Sequence, residues 1–278
     1  MSRQTRIKRP KGRTGPTLAE QADRHELYEL SVQDVEHEAE FVADTFRALR
    51  GREPRGLRED FSGTASAACE WVRHGDERFA IAVDLDAETL DWGREHRVGR
   101  LQPAEQQRVK LLCDNVLTVD TPPVDVVTAF NFSYWILSDR ETLRGYFERV
   151  RESLVDDGLL FLDMFGGSES YVTGKEKTKH KGFSYVWEQE EFDPMTAMYT
   201  CHIHFHFPDG SKLKRAFSYT WRLWTLVEIR ELLAEAGFSK VRVYWETEDE
   251  DGEGSGEYQE SEVGLNDPAW IIYIVAEK

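Results

Sequence analysis

The sequence predicts an α/β fold built on a mostly parallel sheet, and two observations carry this prediction. Between Leu57 and Phe165, short apolar runs that end in an acid or a small residue alternate with helical stretches. Such alternation is typical of parallel strands whose connecting helices cover both faces of a sheet. After Gly167 the pattern changes to three consecutive strand-like runs separated by Asp-Pro and Pro-Asp-Gly turns, which predicts an inserted antiparallel meander.

Each strand follows from a run of apolar and β-branched residues, and each helix from apolar residues recurring at steps of three and four. The main sheet has seven predicted strands, one beginning at Leu57 and the others at Phe79–Val83, Val109–Leu112, Val124–Phe130, Leu159–Leu162, Val241–Trp245 and Trp270–Val275. The meander strands are predicted at Phe183–Phe192, Met198–Phe207 and Leu213–Trp221. The clearest helices are predicted from Ser31 to Leu49, from Asp139 to Leu154 after a capping box of Ser138 and Glu141, and from the box Thr225–Glu228 to Gly237.

The net negative charge of the chain disfavours two classes of binding partner. The 278 residues include 35 Lys and Arg against 52 Asp and Glu, a formal charge of −17. Such a charge repels nucleic-acid phosphates and anionic membrane surfaces, so neither is an expected partner. The longest apolar run, Ala269–Ala276, is too short to span a membrane. Three widely spaced cysteines and no secretory signal predict a reduced, cytoplasmic protein.

Composition shifts divide the chain into five segments. A basic N-terminal stretch with six Lys and Arg predicts a flexible arm, and nine acids between Glu246 and Glu262 predict a mobile solvated loop. The predicted segments are the basic arm at 1–16, an N-terminal helical cap at 17–54, a cofactor-binding core at 55–167, a β-meander lid at 168–221, and the C-terminal part of the core at 222–278 with the acidic loop at 246–262.

Acids at the ends of successive strands indicate a ligand site. Ligands of open α/β sheets bind at the carboxyl ends of the strands. Asp84 ends the second strand, 21 residues after Gly63, at a position where a carboxylate can accept both hydroxyls of a ribose. Asp114 ends the third strand, where it can contact an adenine amino group. The turn lacks the several glycines of a dinucleotide site and the lysine of a phosphate loop, so an adenosine ligand without phosphates fits better.

Five stretches of this sequence resemble, in the correct order, the successive motifs of class I S-adenosylmethionine-dependent methyltransferases. The resemblance covers about residues 55 to 278, and Arg222–Trp224 is similar to a subgroup whose β-meander lid serves small-molecule acceptors. It departs from the pattern where Phe61 and Ala65 replace glycine. The five stretches are Glu59–Ala65, Val83–Asp86, Cys113–Val116, Leu154–Leu159 and Ala236–Phe238 before a closing hairpin.

The resemblance implies a Rossmann-like seven-stranded sheet with a reversed last strand, S-adenosylmethionine (SAM) as cofactor and S-adenosylhomocysteine (SAH) as product. Matched by position, Glu59 and Gly63 would line the methionine end of the cofactor, Asp84 would bind the ribose, and Asp114 with Asn115 would hold the adenine. The whole cofactor site implied in this way consists of Glu59, Phe61, Gly63, Asp84, Leu85, Asp114, Asn115 and Asn131.

The candidate catalytic residues are Tyr28, Tyr134 and His204. Tyr28 precedes the first long helix and can fold over the cofactor, or it packs as a surface tyrosine. Tyr134 lies in Asn131–Trp135, which is weakly similar to the Asn-Pro-Pro-Tyr motif of amino-group methyltransferases but lacks both prolines. Its aromatic residues suit either core packing or a cationic sulfonium with a soft acceptor.

His202, His204 and His206 alternate along one face of a predicted meander strand. Three interpretations are open for this row: the polar face of a half-buried strand, a base for the acceptor, or a metal site. We expect the row as a whole to form the polar face of a half-buried strand, and we expect no metal site. His204 is retained as the candidate base because a thiol acceptor gains from one.

The function predicted from these observations is methyl transfer from SAM to a small soft nucleophile, a thiol or an amine, by in-line displacement. A small-molecule acceptor is the expected partner, and a homodimer is compatible with the sequence. Two other functions remain open. A methyltransferase acting on RNA or protein would use the basic arm and the lysines between Lys175 and Lys181, whereas a regulator would bind the cofactor without turnover.

Overall fold

The computed structural model describes residues 15–248 and 254–278. The six cations of the predicted basic arm lie in residues 1–14, and the middle of the predicted acidic loop lies at 249–253, so both fall outside the described residues. Within the described ranges, no helix combines the length and the apolar character that crossing a membrane requires.

The described residues form α-helices and β-strands that alternate through the first half of the chain. The helices are α1 Leu18–Gln21, α2 Arg24–Val32, α3 Val35–Arg50, α4 Ser66–Arg73, α5 Ala87–His96, α6 Pro103–Gln106, α7 Arg140–Ser153 and α8 Leu226–Glu235. The strands are β1 Gly56–Asp60, β2 Phe79–Asp84, β3 Val109–Cys113, β4 Val124–Ala129, β5 Leu154–Gly166, β6 Gly174–His180, β7 Phe183–Asp193, β8 Met198–His206, β9 Lys212–Arg222, β10 Lys240–Glu248, β11 Gly254–Glu260 and β12 Trp270–Glu277.

The main sheet has the order β11-β10-β12-β5-β4-β1-β2-β3. Strands β1 to β5 run parallel, and β12 lies antiparallel to both β5 and β10. The predicted α/β fold with a reversed last strand is therefore confirmed. The sheet has eight strands rather than the predicted seven, because β11 adds to its edge.

Strand β11 forms within the segment predicted to be a solvated loop. Its backbone pairs with β10, where Glu246 lies opposite Tyr258. The Tyr258 ring packs 4.6 Å from Tyr273 and 6.3 Å from Phe41, measured between ring centroids. Backbone pairing and the half-buried ring of Tyr258 thus hold a strand whose other side chains are exposed.

A separate antiparallel sheet has the order β6-β7-β8-β9 and covers the main sheet's carboxyl edge; we call it the lid sheet. It contains the three predicted meander strands and one additional edge strand, β6. Lys175, Lys177 and Lys179 occupy exposed positions along β6, where charged side chains protect a free strand edge from pairing with other chains. Lys175 also pairs with Glu188 at 2.7 Å.

Two apolar clusters fill the two faces of the main sheet and fix the helices against it. Phe46 of α3 and Trp71 of α4 pack with Phe161 on one face, while Phe147 of α7 and Leu232 of α8 belong to the cluster on the other. All five side chains are at most 1% exposed. With both faces covered, the carboxyl ends of the parallel strands remain open to the lid sheet.

Of the two predicted capping boxes, one is present in the structure and the other is not. The capping box of Thr225 and Glu228 opens α8 as predicted. At α7 the cap is Asp139, whose carboxylate accepts from the Thr142 amide, so the predicted box of Ser138 and Glu141 is wrong. An Asp at this position competes successfully because its charge also interacts favourably with the helix dipole.

Candidate functional site

A cavity of about 820 Å³ lies between the carboxyl ends of β1 to β4, helices α2 and α3, and the lid sheet. This volume falls within the range of small-molecule sites. The structure brings together here all eight residues predicted for the cofactor, together with Tyr28. These lining residues are Tyr28, Glu59, Phe61, Gly63, Asp84, Leu85, Asp114, Asn115 and Asn131.

The turn after β1 has left-handed backbone at three positions, although Phe61 and Ala65 stand where the family resemblance expects glycine. Phe61, Gly63 and Ala65 have φ values of 57°, 53° and 58°. A left-handed conformation costs a residue with a side chain about 1–2 kcal/mol, so Phe61 and Ala65 are held there by their surroundings. Ala65 is fully buried, and the Phe61 ring lies 5.7 Å from Tyr146. Although two glycines are replaced, the backbone of the turn therefore keeps a conformation that lets a ligand approach closely.

Asp84 connects this turn to the end of β2. The Gly63 amide donates to its Oδ2 at 2.7 Å, and the Asp86 amide donates to its Oδ1 at 2.9 Å. Each carboxylate oxygen is thereby oriented and still has a second lone pair with which to accept. Next to it, Leu85 is 68% exposed at the cavity, an apolar surface against which a flat ring can pack.

Glu59 lies beneath the same turn and is 8% exposed. Its Oε2 accepts from the Ala68 amide in the first turn of α4 at 2.9 Å. Burial raises the pKa of Glu59 to about 8, and the neighbouring carboxylates of Asp84 and Asp60 act in the same direction. A cation bound beside Glu59 would reverse these effects, so this part of the cavity favours a positively charged ligand group.

Asp114 and Asn115 form the rim of the cavity at the end of β3. The Asn115 amide donates to Asp114 Oδ1 at 2.7 Å, and the Leu117 amide donates to Asn115 Oδ1 at 3.0 Å. These bonds fix the turn, and both residues line the cavity together with Asp84. The backbone supports this arrangement, because the Asp114 amide donates to the Asp84 carbonyl at 3.1 Å.

A strained turn follows β4 and is held by an acid that we did not predict as part of the site. Asn131 and Phe132 both have φ of 57°. Their amides donate to Asp163 of β5, at 2.7 Å to Oδ2 and 2.9 Å to Oδ1. Burial raises the pKa of Asp163 to about 7. In the sequence, Asp163 appears only as an acid that follows an apolar run. Its role in holding the turn after β4 becomes visible only when β4 and β5 lie side by side.

Replacing Asp163 with alanine should lower the free energy of unfolding by about 3 kcal/mol, because two amides lose their acceptor at about 1–3 kcal/mol each. Urea denaturation followed by tryptophan fluorescence measures the change. Asp156→Ala, at an exposed position of the same strand, is the matched control and should have little effect. Equal stability of the Asp163→Ala and control variants would show that the turn does not depend on Asp163.

Helix α2 closes the cavity from the N-terminal side and carries Tyr28. The Tyr28 ring lies 4.9 Å from Phe217 of the lid sheet. Glu29 accepts from Thr64 Oγ1 at 2.5 Å and from Arg97 Nε at 2.6 Å. These bonds attach the helix to the turn after β1, so Tyr28 is placed between the lid sheet and the ligand cavity, as a covering residue requires.

The structure does not bring Tyr134 or His204 to the cavity. Tyr134 is fully buried, and its hydroxyl donates to the Asp163 carbonyl at 3.0 Å. His204 lies on the opposite face of the lid sheet, because Ile203 and Phe205 of the same strand occupy the apolar face. Its Nδ1 accepts from the Arg215 amide at 3.1 Å, and its Nε2 lies 2.7 Å from Glu188.

The neighbouring His202 is paired in the same way, with Ser218 at 2.7 Å and Glu190 at 2.8 Å. These contacts match the polar-face interpretation of the histidine row. Among the described residues, no group of three His, Cys, Asp or Glu side chains is arranged to hold a metal ion.

Glu38 is a further cavity residue that sequence reasoning missed. It lies in the first turn of α3, lines the cavity and is 8% exposed. The one available signal is its position: Glu38 follows Val35 by three residues and precedes Val42 by four, so it shares the apolar face of the helix. An acid at such a position is unusual unless it has a ligand or a partner.

The sequence matches no protein-family model and no curated protein, so the comparison depends on structure. A SAM-dependent methyltransferase from Clostridium acetobutylicum has 15% identity and a TM-score of 0.66, with 91% of this chain and 96% of that chain covered. A SAM-bound amino pentose methyltransferase from Micromonospora echinaspora has 16% identity and a TM-score of 0.64, with 91% and 96% covered. A sugar N-methyltransferase from a Streptoalloteichus species has 15% identity and a TM-score of 0.61, with 99% of each chain covered. The chain shares their fold.

Proposed function

We propose that this chain is a SAM-dependent methyltransferase that acts on a small amine. The observation that carries the proposal is the order of acids along the sheet edge: Glu59, Asp84 and Asp114 lie at or next to the carboxyl ends of three neighbouring parallel strands and line one cavity. This is the arrangement that an adenosine with a cationic tail requires. The fold shared with solved SAM-dependent methyltransferases supports the same function.

Each of these residues has a distinct part in holding the cofactor. Asp84, with both oxygens oriented by backbone amides, accepts from the ribose hydroxyls. Asp114 accepts from the adenine amino group, and Leu85 packs against the ring. Glu59 faces the methionine end, where a positive charge stabilises its ionised form. When bound, the cofactor supplies a methyl group that is already activated for displacement.

The protein therefore has to position the acceptor and exclude water rather than activate the methyl group. Tyr28 and Phe217 cover the cavity from the side of the lid sheet. Phe130 and Asn131 line its acceptor side, at the end of β4.

An amine is the acceptor that we favour over a thiol. The carboxylates that line the cavity attract a cationic ammonium group and repel anionic acceptors. The amino pentose methyltransferase and the sugar N-methyltransferase that share the fold carry amine acceptors in their names. A thiol has no corresponding electrostatic advantage here.

A screen of pooled small amines, with pooled thiols as the control, tests this function. The protein is incubated with SAM and each pool, and SAH formation is measured. We expect SAH to form with an amine pool and not with the thiols. Turnover with thiols alone would replace the amine by a thiol, and binding of SAM without turnover in any pool would favour a regulator.

A further inference from the structure

Glu38 differs from the other buried acids of the site in having no hydrogen-bond or ion-pair partner among the residues that the structure describes. Asp60 pairs with Arg58, and Asp163 accepts from two backbone amides. Among the described residues, none gives the Glu38 carboxyl group a hydrogen bond or an ion pair, although it is 8% exposed and lines the cavity. A buried carboxyl group left in this state is costly unless a ligand completes it.

The groups around Glu38 make its surroundings strongly acidic. Asp34 at the start of α3, Glu59 on β1 and Asp163 on β5 are the charged groups that act on it. The phenols of Tyr28 on α2 and Tyr273 on β12 also lie close enough to be affected by its charge. Burial and the three carboxylates raise the pKa of Glu38 well above its ordinary value. A cationic ligand is the group that would stabilise its ionised form.

Glu38 lies on the acceptor side of the cavity. The acids assigned to the cofactor lie at the carboxyl ends of β1, β2 and β3, whereas Asp163 and Tyr273 belong to β5 and β12 on the other side of β4. The helix that carries Glu38 packs over this second group of strands, where Phe41 stacks on Tyr273 at 4.5 Å. The position therefore suits the second ligand rather than the adenosine.

We infer that Glu38 is the residue that binds the acceptor, pairing its carboxylate with the protonated amine and then taking one proton from that nitrogen. The inference rests on the proposed function and names the group within that site that selects the substrate. The proton moves from the ammonium nitrogen to a Glu38 oxygen, which leaves a neutral amine and a neutral carboxylic acid. The nitrogen lone pair released in this step is what a methyl acceptor needs, and a base with a raised pKa is better matched to an amine than an ordinary carboxylate.

The acceptor class that follows is an amine that is cationic at neutral pH and carries at least one proton on its nitrogen. A quaternary ammonium group would pair with Glu38 but has no proton to give. Acceptors that carry a carboxylate or phosphate beside the amine would be repelled by the acidic lining of the cavity and bind weakly. Glu38 thus distinguishes amines from thiols and alcohols by charge rather than by shape.

The test compares Glu38→Gln with wild type and with Glu36→Gln, a control in which the same charge is removed from an exposed position of the same helix turn. Each protein is saturated with SAH and titrated by calorimetry with ethylammonium, dimethylammonium and glucosamine. We expect wild type and the control to bind at least one of these amines, and Glu38→Gln to bind it about 10- to 100-fold more weakly. The affinity for SAH should stay within about threefold, and thermal unfolding of Glu38→Gln checks that it folds.

A second measurement separates proton transfer from simple binding. For an amine that the wild type methylates, kcat/KM should fall toward low pH as Glu38 becomes protonated. In Glu38→Gln, kcat/KM should be about 100-fold lower and should no longer depend on pH in this way. Equal amine affinity in Glu38→Gln and wild type would overturn the inference, as would a parallel loss of SAH affinity or no amine binding by wild type. A wild type that binds neither SAM nor SAH would instead defeat the proposed function itself.

Discussion

Replacing Asp84 with alanine should weaken SAM binding by about 100-fold or more. The carboxylate would make two charge-assisted hydrogen bonds to the ribose, each contributing about 1.5–3 kcal/mol, and every 1.4 kcal/mol corresponds to about tenfold in affinity. The side chain also orients the turn after β1 through the Gly63 amide. Calorimetric titration with SAM measures the loss directly.

Two further variants separate the causes of that loss. Asp91→Ala removes an exposed acid from α5 and should leave SAM affinity unchanged. Asp84→Asn keeps the shape of the side chain but not its charge, so it should fall between wild type and Asp84→Ala. An Asp84→Ala protein that binds SAM as tightly as wild type would remove Asp84 from the site.

Breaking the buried ion pair beneath the cavity should have the largest effect on stability. Arg58 and Asp60 are 1% and 2% exposed, with Arg58 Nε 2.8 Å from Asp60 Oδ1, and Tyr146 donates to Asp60 Oδ2 at 2.9 Å. Arg58→Met leaves Asp60 as an uncompensated buried acid, which costs about 3–5 kcal/mol in comparable pairs. Urea denaturation should show a midpoint lowered accordingly.

An exposed pair supplies the control for this effect. Arg140 and Glu235 join α7 to α8 at the surface, and Arg140→Met should change stability little because solvent screens the pair. The double variant Arg58→Met with Asp60→Leu should recover part of the loss, since no lone charge then remains buried. A single Arg58→Met variant as stable as the Arg140→Met control would show that the pair does not support the fold.

The parallel core could be predicted because its signals are strong and local. Strands buried on both faces read as continuous apolar runs, and the acids at their ends must meet at one edge whatever the details of packing. Strand β11 could not be predicted in this way. Its pairing is made by backbone atoms, and only Tyr258 marks its buried face.

On the proposed cofactor side, Asp84 and Asp114 were predicted from the strand ends and the other residues from the family resemblance. The proposed acceptor side depends on which way side chains point. His204 faces away from the cavity because it alternates along β8 with the apolar residues Ile203 and Phe205, and Tyr134 points into the core. The alternation along the strand predicts the polar face for the histidine row, whereas the buried direction of Tyr134 cannot be read from its motif.

Asp163 gains its importance from the amides of Asn131 and Phe132. Glu38 gains its importance from burial near Glu59 and Asp163. Both depend on residues distant in the sequence that only the folded chain brings together.

The most direct test of the proposed function is transfer of an isotopically labelled methyl group. The protein is incubated with SAM carrying a deuterated methyl and with the amine pool, and the products are analysed by mass spectrometry. We predict that SAH forms in amounts equal to a product bearing the deuterated methyl on nitrogen. SAM that binds but stays intact in every pool, or a label found on sulfur or oxygen instead, would contradict the proposal that this cavity methylates a small amine.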